Sequence, residues 1–309
     1  MKRTTLTKLL ALLAAVALLL TACGDDKDDG GAGGGSGGSE KSGPTIRIRG
    51  QEFSESVTLA QVYGQYLEAK GYKVDILTPA GFRTEALDAL KNSDVDLVID
   101  YIGGDQAALA PDTPPSTDPD EVMKVITPEL EKIGTTILPF SPAVDGDALV
   151  VRGDFDGKKI SDLKGKDAVF GAASECYERP QCYIGLTDPA RYGITFKSTK
   201  TIENGPLLGE ALKAKEVDAV IWNTTAPEIA RNKFKVLEDD KGLFPAQNIA
   251  PIIRTKVLDA YGEDLRNDLD RLTQTITTAD LMAWNTATDI DKKESDQVAK
   301  DWLKSKNLI

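Results

Sequence analysis

Two segments of this chain repeat one pattern 122 positions apart. Residues 89–100 read Ala-Leu-Lys-Asn-Ser-Asp-Val-Asp-Leu-Val-Ile-Asp, and residues 211–222 read Ala-Leu-Lys-Ala-Lys-Glu-Val-Asp-Ala-Val-Ile-Trp. In each segment a helix end leads through a charged turn into a Val-Asp strand. The spacing is far beyond a solenoid period, so the pattern predicts two similar α/β lobes with ligand sites at the carboxyl ends of their strands. A chance match of common helix and strand patterns stays open as the alternative.

The first 22 residues have the pattern of a bacterial lipoprotein signal peptide. Lys2, Arg3 and Lys8 precede or adjoin an apolar run over residues 9–20, and Leu-Thr-Ala stands directly before Cys23. The run suits a signal-peptide core and is too short to span a bilayer. We therefore predict an extracytoplasmic protein, lipid-anchored through Cys23 to the outer face of the cell membrane. An ordinary secretory signal with a coincidental cysteine is the alternative.

Composition divides the remaining chain into a tether and a folded part. Residues 23–43 are mostly Gly, Ser and Asp, a composition that predicts a flexible tether. We predict that residues 44–145 and 252–309 form lobe 1, that residues 146–251 form lobe 2, and that two crossings between them act as a hinge. The net charge of −12 at pH 7 argues against nucleic acid as a partner.

Two further cysteines lie six positions apart, in Glu-Cys-Tyr-Glu-Arg-Pro-Gln-Cys. Outside the cytoplasm Cys176 and Cys182 are expected to form a disulfide that fixes the shape of one loop. A thiolate metal site is the rival interpretation. Because the chain has no histidine and no other free cysteine, we predict no metal site. No cofactor is expected.

Hydrophobic periodicity predicts a parallel β-α-β-α-β run in the first lobe. It begins with a strand at Ile46 and Ile48, continues with a helix capped by Ser54, and ends in a buried strand over residues 95–101. The last predicted segments are mostly helical and are assigned to the first lobe. They cover residues 256–274, 279–288 and 293–304.

The order of several short motifs resembles the substrate-binding proteins of quaternary-amine ABC importers. These motifs are Phe53-Ser-Glu55, Asp100-Tyr-Ile-Gly103, Glu178-Arg-Pro180, Gly185-Leu186, Tyr192-Gly193, the segment from Leu237 to Pro245, and the segment from Ala250 to Arg254. The resemblance implies a two-lobed type II periplasmic-binding fold. It also implies a monomer that delivers glycine betaine, choline, carnitine or a related zwitterion or amine to a membrane permease.

In that family the quaternary ammonium sits among aromatic rings, because it has no N–H to donate and is attracted to ring faces. The carboxylate of the ligand meets polar side chains and backbone N–H groups. Carried over to this chain, the resemblance implies a ligand-binding set of Phe53, Ser54, Tyr101, Ile102, Gly103, Arg179, Trp222, Asn223, Thr224, Thr225 and Asn248.

For three of these residues a structural role is the alternative. Tyr101 could be a core residue at a strand end, and Phe53 could be a hydrophobic staple on the first helix. Arg179 could pair with a ligand carboxylate, with Glu178 or with solvent alone.

The chain departs from the family pattern at positions that bear on the ligand. Ile102 and Gly104 replace the usual threonines, and Asn223 replaces the usual aromatic residue after the second-lobe strand. Trp222 could supply the missing ring, although successive strand residues point to opposite faces. A zwitterion such as an amino acid or ergothioneine, bound by hydrogen bonds from Asn223 to Thr225, is therefore an alternative ligand.

An enzyme and a sensor are the two other functional classes relevant to this sequence. Without histidine the chain lacks the usual general base of a nucleophile triad, and Ser161-Asp-Leu-Lys164 lacks the partner motifs of a penicillin-binding enzyme. We therefore predict that the protein is not an enzyme. A tethered extracytoplasmic sensor with the same fold stays open as an alternative.

Overall fold

The structure, a computed structural model, describes residues 41–203 and 205–309. The predicted signal peptide, its cleavage site and Cys23 lie outside these residues, as does nearly all of the predicted tether. The described strands are β1 (Ile46–Ile48), β2 (Val74–Ile76), β3 (Leu97–Tyr101), β4 (Thr135–Ile137), β5 (Asp147–Val151), β6 (Val169–Ala172), β7 (Ser198–Thr201), β8 (Ala219–Asn223), β9 (Lys235–Val236) and β10 (Ile249–Arg254).

Helices connect these strands and cover their faces. They are α1 (Ser54–Ala69), α2 (Arg83–Asn92), α3 (Ile102–Leu109), α4 (Pro119–Lys132), α5 (Gly185–Thr187), α6 (Pro206–Lys213), α7 (Pro227–Arg231), α8 (Thr255–Tyr261), α9 (Glu263–Thr275), α10 (Thr278–Asn285) and α11 (Ser295–Ser305). None of the helices in the described ranges is both long and apolar enough to cross a membrane.

The strands form two sheets with the same topology. The first has the order β2-β1-β3-β10-β4 and the second the order β7-β6-β8-β5-β9. In each sheet three parallel strands are followed by one antiparallel strand, β10 beside β3 and β5 beside β8. The two-sheet α/β fold agrees with the prediction, and so does the parallel β-α-β-α-β run, because β2, β1 and β3 are parallel neighbours. β10 then returns along β3 in the opposite direction.

The β10 strand belongs entirely to the first sheet. It pairs with β3 from Ile249 to Ile253 and with β4 from Ile252 to Arg254. The predicted boundary between residues 251 and 252 falls inside this strand, and the division into two lobes stays a prediction.

Each sheet has apolar cores that explain its stability. Helices α1, α9, α10 and α11 pack on one face of the first sheet around buried side chains such as Tyr63, Leu97 and Trp284. The second sheet has its own core around Phe170, Tyr192 and the Cys176–Cys182 disulfide. The disulfide therefore agrees with the prediction and lies within the second core.

Local chemistry shifts several helix boundaries from their predicted places. Phe53, not Ser54, is the N-cap of α1; its backbone is extended and Ser54 is the first helical residue. The predicted helix over residues 256–274 is two helices, because Gly262 adopts a φ of 67° between α8 and α9. A positive φ is accessible to glycine at little cost and ends the helix there.

Candidate ligand-binding cleft

A cleft of about 570 Å³ opens between elements of the two sheets. The N-terminus of α1 forms one wall, and the exit of β8 with the starts of α6 and α7 forms the other. The end of α10 and the turn after it close the third side. The lining residues are Phe53, Ser54, Glu55, Asp145, Gly205, Pro206, Trp222, Asn223, Thr225, Ala226, Pro227, Glu228, Asn285, Asp289 and Ile290.

Phe53 and Trp222 are the aromatic side chains among the described lining residues. Phe53 is partly buried against the first core, with its ring centroid 6.1 Å from that of Tyr101. Trp222 is only 4% exposed and packs among apolar side chains of α6 and α7, where Gly209 leaves room for the indole. The two rings therefore reach the cleft from different parts of the fold.

Glu55 occupies the first turn of α1 and is held by two neutral donors. The Tyr101 hydroxyl donates to its Oε1 at 2.6 Å, and Asn285 Nδ2 donates to its Oε2 at 2.5 Å. Burial, and then the charge of Asp145, raise the pKa of Glu55 to about 7, and the hydrogen bonds from Tyr101, Asn285 and Thr225 only partly oppose this. Glu55 is thus a carboxyl group that titrates near neutral pH.

The chain passes between the sheets twice, in a first crossing over residues 138–146 and a second over residues 237–248. Asp145 lies on the first crossing. Its Oδ1 accepts from the Thr225 hydroxyl at 2.8 Å, and its backbone N–H donates to the Gln247 carbonyl on the second crossing at 3.1 Å. Burial raises the pKa of Asp145, and the nearby charge of Asp147 acts in the same direction, against hydrogen bonds from Thr225 and Asn223. One residue therefore belongs to both the cleft and the predicted hinge.

Asn285 links the two carboxyl groups. Besides its bond to Glu55, its Nδ2 donates to the Thr225 carbonyl at 3.3 Å, while the Thr225 hydroxyl bonds Asp145. Asn285 is buried, and its Oδ1 has no hydrogen-bond partner within the protein. Because a buried acceptor without a partner is costly, Oδ1 is a natural acceptor for a hydroxyl or N–H of a ligand.

The cleft is acidic. Glu55, Asp145, Glu228 and Asp289 line it, and no lysine or arginine is among its described lining residues. An organic cation is therefore better matched to this site than an anion. Among the described residues no cluster of His, Cys, Asp and Glu is arranged to hold a metal ion.

Part of the set predicted from the resemblance lines this cleft. These residues are Phe53, Ser54, Trp222, Asn223 and Thr225. Trp222 and Asn223 both border the cleft although they are neighbours on β8, because the cleft extends around the strand end to α6 and α7.

Two predicted residues do not line the cleft but hydrogen-bond residues next to it or in its wall. Tyr101 is 5% exposed and reaches the site only through its hydroxyl on Glu55. Thr224 donates to the Val144 carbonyl at 2.8 Å and accepts from the Gly146 N–H, so its side chain joins β8 to the first crossing.

The other predicted residues lie outside the cleft. Asn248 donates to the Ser141 carbonyl at 2.9 Å, and Arg179 pairs with Asp147 rather than Glu178. Ile102 is buried against α2 and α4, and a Cβ at Gly103 would collide with the Ala246 carbonyl. A direct ligand contact of these residues stays a prediction, and none of them is among the lining residues of this cleft.

The chain matches, over residues 44–305, the OpuAC family, described as the substrate binding domain of ABC-type glycine betaine transport system. The chain belongs to the OpuAC family. The glycine-betaine-binding protein of Pseudomonas aeruginosa is 24% identical to it over 279 residues, which cover 86% of this chain and 89% of that protein. The carnitine transport binding protein OpuCC of Listeria monocytogenes is 24% identical over 276 residues, 87% of this chain and 89% of that protein.

A solved structure titled as a glycine betaine/carnitine/choline ABC transporter has the same fold. It aligns with a TM-score of 0.77 at 23% identity, covering 85% of this chain and 99% of that chain. As an OpuAC member, this chain is an extracytoplasmic substrate-binding component of an ABC transporter, and its family is one of transport proteins rather than enzymes.

Several lining residues were missed by sequence reasoning. Glu55 stood inside the quoted Phe-Ser-Glu motif, so a signal for it existed. Asp145, Asn285, Glu228 and Asp289 carried none, because they come from a crossing and from helices whose meeting point depends on the tertiary fold.

Proposed function

We propose that this chain captures a small quaternary amine in the cleft between its two sheets and delivers it to an ABC permease. The observation that carries the proposal is the combination of two aromatic rings and four carboxyl groups around one cleft. Ring faces and carboxylates both attract a methylated ammonium ion, which cannot be bound through N–H donors. OpuAC family membership supports the transport role.

The ligand is expected to bridge the two walls. Phe53 and Glu55 would contact it from the first sheet, and Trp222 with Asn223 from the second. Closure of the two halves around the ligand would then form the surface that a permease recognises.

Attachment to the membrane through lipid on Cys23, with the folded part working as a monomer, belongs to the same proposal. The signal pattern before Cys23 supports the anchor. Fractionation of cells that express Cys23→Ala tests it: the variant should leave the membrane fraction, and retention there would argue against a lipid anchor.

Calorimetric titration of residues 37–309 at pH 7.5 tests the ligand class. Choline, glycine betaine, carnitine, proline and ergothioneine form the panel, and saturable binding of at least one quaternary amine is expected. Phe53→Leu and Trp222→Leu should each weaken binding by about 3- to 30-fold, the range expected for a cation–π contact in a desolvated site.

Phe82→Leu is the matched control, because Phe82 is 57% exposed at the start of α2 and does not line the cleft. It should bind like the wild type. Absence of binding across the panel, or equal affinity of all three variants and the wild type, would argue against this site.

A further inference from the structure

A buried carboxyl group, Glu55, and a half-buried one, Asp145, line one cleft, and no salt bridge within residues 41–203 and 205–309 joins either of them to a lysine or arginine. Resting on the proposed function, we propose that Glu55 and Asp145 share one proton in the empty cleft and release it when a cation binds, so that the site selects cations over zwitterions. The two groups belong to different parts of the fold, α1 and the first crossing, and both line the same cleft.

The hydrogen bonds around the pair come from neutral groups. Tyr101 and Asn285 donate to Glu55, and Thr225 donates to Asp145. Neutral donors lower the cost of one buried negative charge, but they do not cancel the repulsion between two. A pair of this kind keeps one proton until a positive charge arrives, as coupled carboxyl groups do.

The charged groups on the surrounding elements also favour retention of a proton by the pair. Asp147 on β5, Glu228 on α7 and Asp289 after α10 are all acidic. Asp147 is paired with the basic side chain of Arg179. The Tyr101 hydroxyl stays protonated, because burial and the charge of Glu55 raise its pKa well above 10.

The pKa shifts of Glu55 and Asp145 have the direction expected from this geometry. Burial and Asp145 raise the pKa of Glu55 from 4.5 to about 7, and burial also raises that of Asp145. At neutral pH a substantial fraction of the empty protein therefore holds the shared proton.

The exchange balances in charge and atoms. One organic cation enters the cleft, the O–H bond of one carboxyl group breaks, and its proton passes to solvent. The net charge inside the cleft is then unchanged. A zwitterion would bring its own carboxylate into a site lined by Glu55, Asp145, Glu228 and Asp289.

A hydroxyl group on the cation would add a further match. Asn285 Oδ1 is a buried acceptor without a protein partner and belongs to the cleft wall. Choline carries both a trimethylammonium group and a hydroxyl, whereas glycine betaine carries the same trimethylammonium group and a carboxylate. Because the trimethylammonium group is the same, a difference in affinity between the two compounds measures the effect of the ligand carboxylate and not the cation–π contribution.

Calorimetry of the wild-type protein with choline and with glycine betaine tests the proposal. At pH 6, titrations in two buffers of different ionisation enthalpy should give release of close to one proton per choline bound. As pH increases toward 7, the affinity for choline should increase by up to about tenfold per pH unit, and above pH 7 it should level off. Glycine betaine should bind at least tenfold more weakly at pH 7.5.

Variants of the pair should remove the exchange. Glu55→Gln should abolish most of the proton release and flatten the pH dependence of choline binding, and Asp145→Asn should do the same from the other side. Glu131→Gln, on the exposed surface of α4 and outside the cleft, should keep both. Proton release by the wild type needs no variant, so the test survives if a variant fails to fold.

The outcomes separate this inference from the proposed function. Choline binding without proton release would overturn the inference and leave the proposed function intact. A second result would also overturn the inference and leave the proposed function intact: glycine betaine binds more tightly than choline, and its affinity falls as pH rises. In that case the protonated pair would be donating its proton to the carboxylate of the ligand. No binding of any quaternary amine would remove the proposed function, and the inference with it.

Discussion

Glu55 is buried at the first turn of a helix, a place that normally favours a negative charge. The helix dipole and the donors Tyr101 and Asn285 stabilise its ionised form. Its pKa is nevertheless raised to about 7, because the side chain is buried and Asp145 lies near it. A carboxylate kept under such conditions costs stability in the empty protein, which is typical of a group retained for binding.

Replacing Glu55 by glutamine should stabilise the empty protein, and more so as pH rises. A folded pKa above the unfolded value means that stability is lost as pH rises from 4.5 to about 7. Glu55→Gln removes that loss, so the free energy of unfolding of the variant should exceed that of the wild type by about 3 kcal/mol near pH 7.5. Rotation of the Asn285 amide can preserve a hydrogen bond, since its Oδ1 has no other partner.

Urea denaturation at pH 5 and pH 7.5 measures this difference. Glu131→Gln should follow the wild type at both values, because Glu131 is exposed. A constant difference between Glu55→Gln and the wild type at the two pH values would show that Glu55 does not titrate in this range.

Among individual residues, the sequence predicted some of those that line the cleft but not most of its carboxyl groups. Phe53 and Trp222 could be proposed because an aromatic residue beside a helix start or a strand end is visible in one dimension. Asp145, Glu228 and Asp289 could not be chosen among 49 acidic residues, because no spacing relates a crossing, helix α7 and the turn after α10.

Among the secondary-structure elements, the two strands of the 122-residue repeat occupy the same place in their sheets. β3 and β8 are each the middle strand, and the residue at the helix end before each, Ser93 or Lys215, has a positive φ of 67° or 62°. The repeated aspartates also have equivalent roles. Asp96 accepts from the backbone N–H of Arg47, and Asp218 accepts from that of Val169, each on the neighbouring parallel strand.

The two aspartates differ in burial, which gives a matched pair of variants. Asp96 is 1% exposed and also bonds the side chains of Arg47 and Arg254, whereas the side chain of Asp218 is 35% exposed and bonds Arg152. Asp96→Asn should cost about 3 kcal/mol, as expected for breaking a buried ion pair. Asp218→Asn should cost about 1 kcal/mol, because solvent screens that pair.

Chemical denaturation of both variants at pH 7 and at pH 3 gives the measurement. Although burial opposes it, hydrogen bonding to Arg47 and Arg254 lowers the pKa of Asp96 below 3.8. Its contribution is therefore present above about pH 4 and declines as pH falls further, so the cost of Asp96→Asn should shrink at pH 3. Equal costs for the two variants at pH 7 would contradict the role of burial.

Elements without apolar periodicity were the ones that sequence reasoning missed. The four residues of β7, Ser-Thr-Lys-Thr, are all exposed at a sheet edge, so they show no buried face. Helix α3 begins with Ile-Gly-Gly, a start that resembles a loop. By contrast, β10 has five buried residues of its six, so its apolar run is visible in the sequence.

For the whole molecule, the site and the crossings between the sheets are physically joined. Val144 pairs with Asn248 across the two crossings, and Thr224 bonds the backbone on both sides of Asp145. Since Asp145 also lines the cleft, a ligand that changes its charge acts directly on the segment expected to bend. Binding and closure are then parts of one equilibrium, and a ligand shifts it only as far as it prefers the closed form.

Small-angle X-ray scattering of residues 37–309 should therefore report binding as a change of shape. Saturating choline at pH 7.5 should decrease the radius of gyration, because the cation draws the wall formed by Phe53 and Glu55 toward that formed by Trp222. Glycine betaine at the same concentration is the comparison and should decrease the radius of gyration less, because it is expected to bind more weakly. If choline binds in calorimetry yet the scattering curve does not change, the cleft is already closed around its ligand site, and recognition by a permease must depend on the bound ligand in some way other than closure.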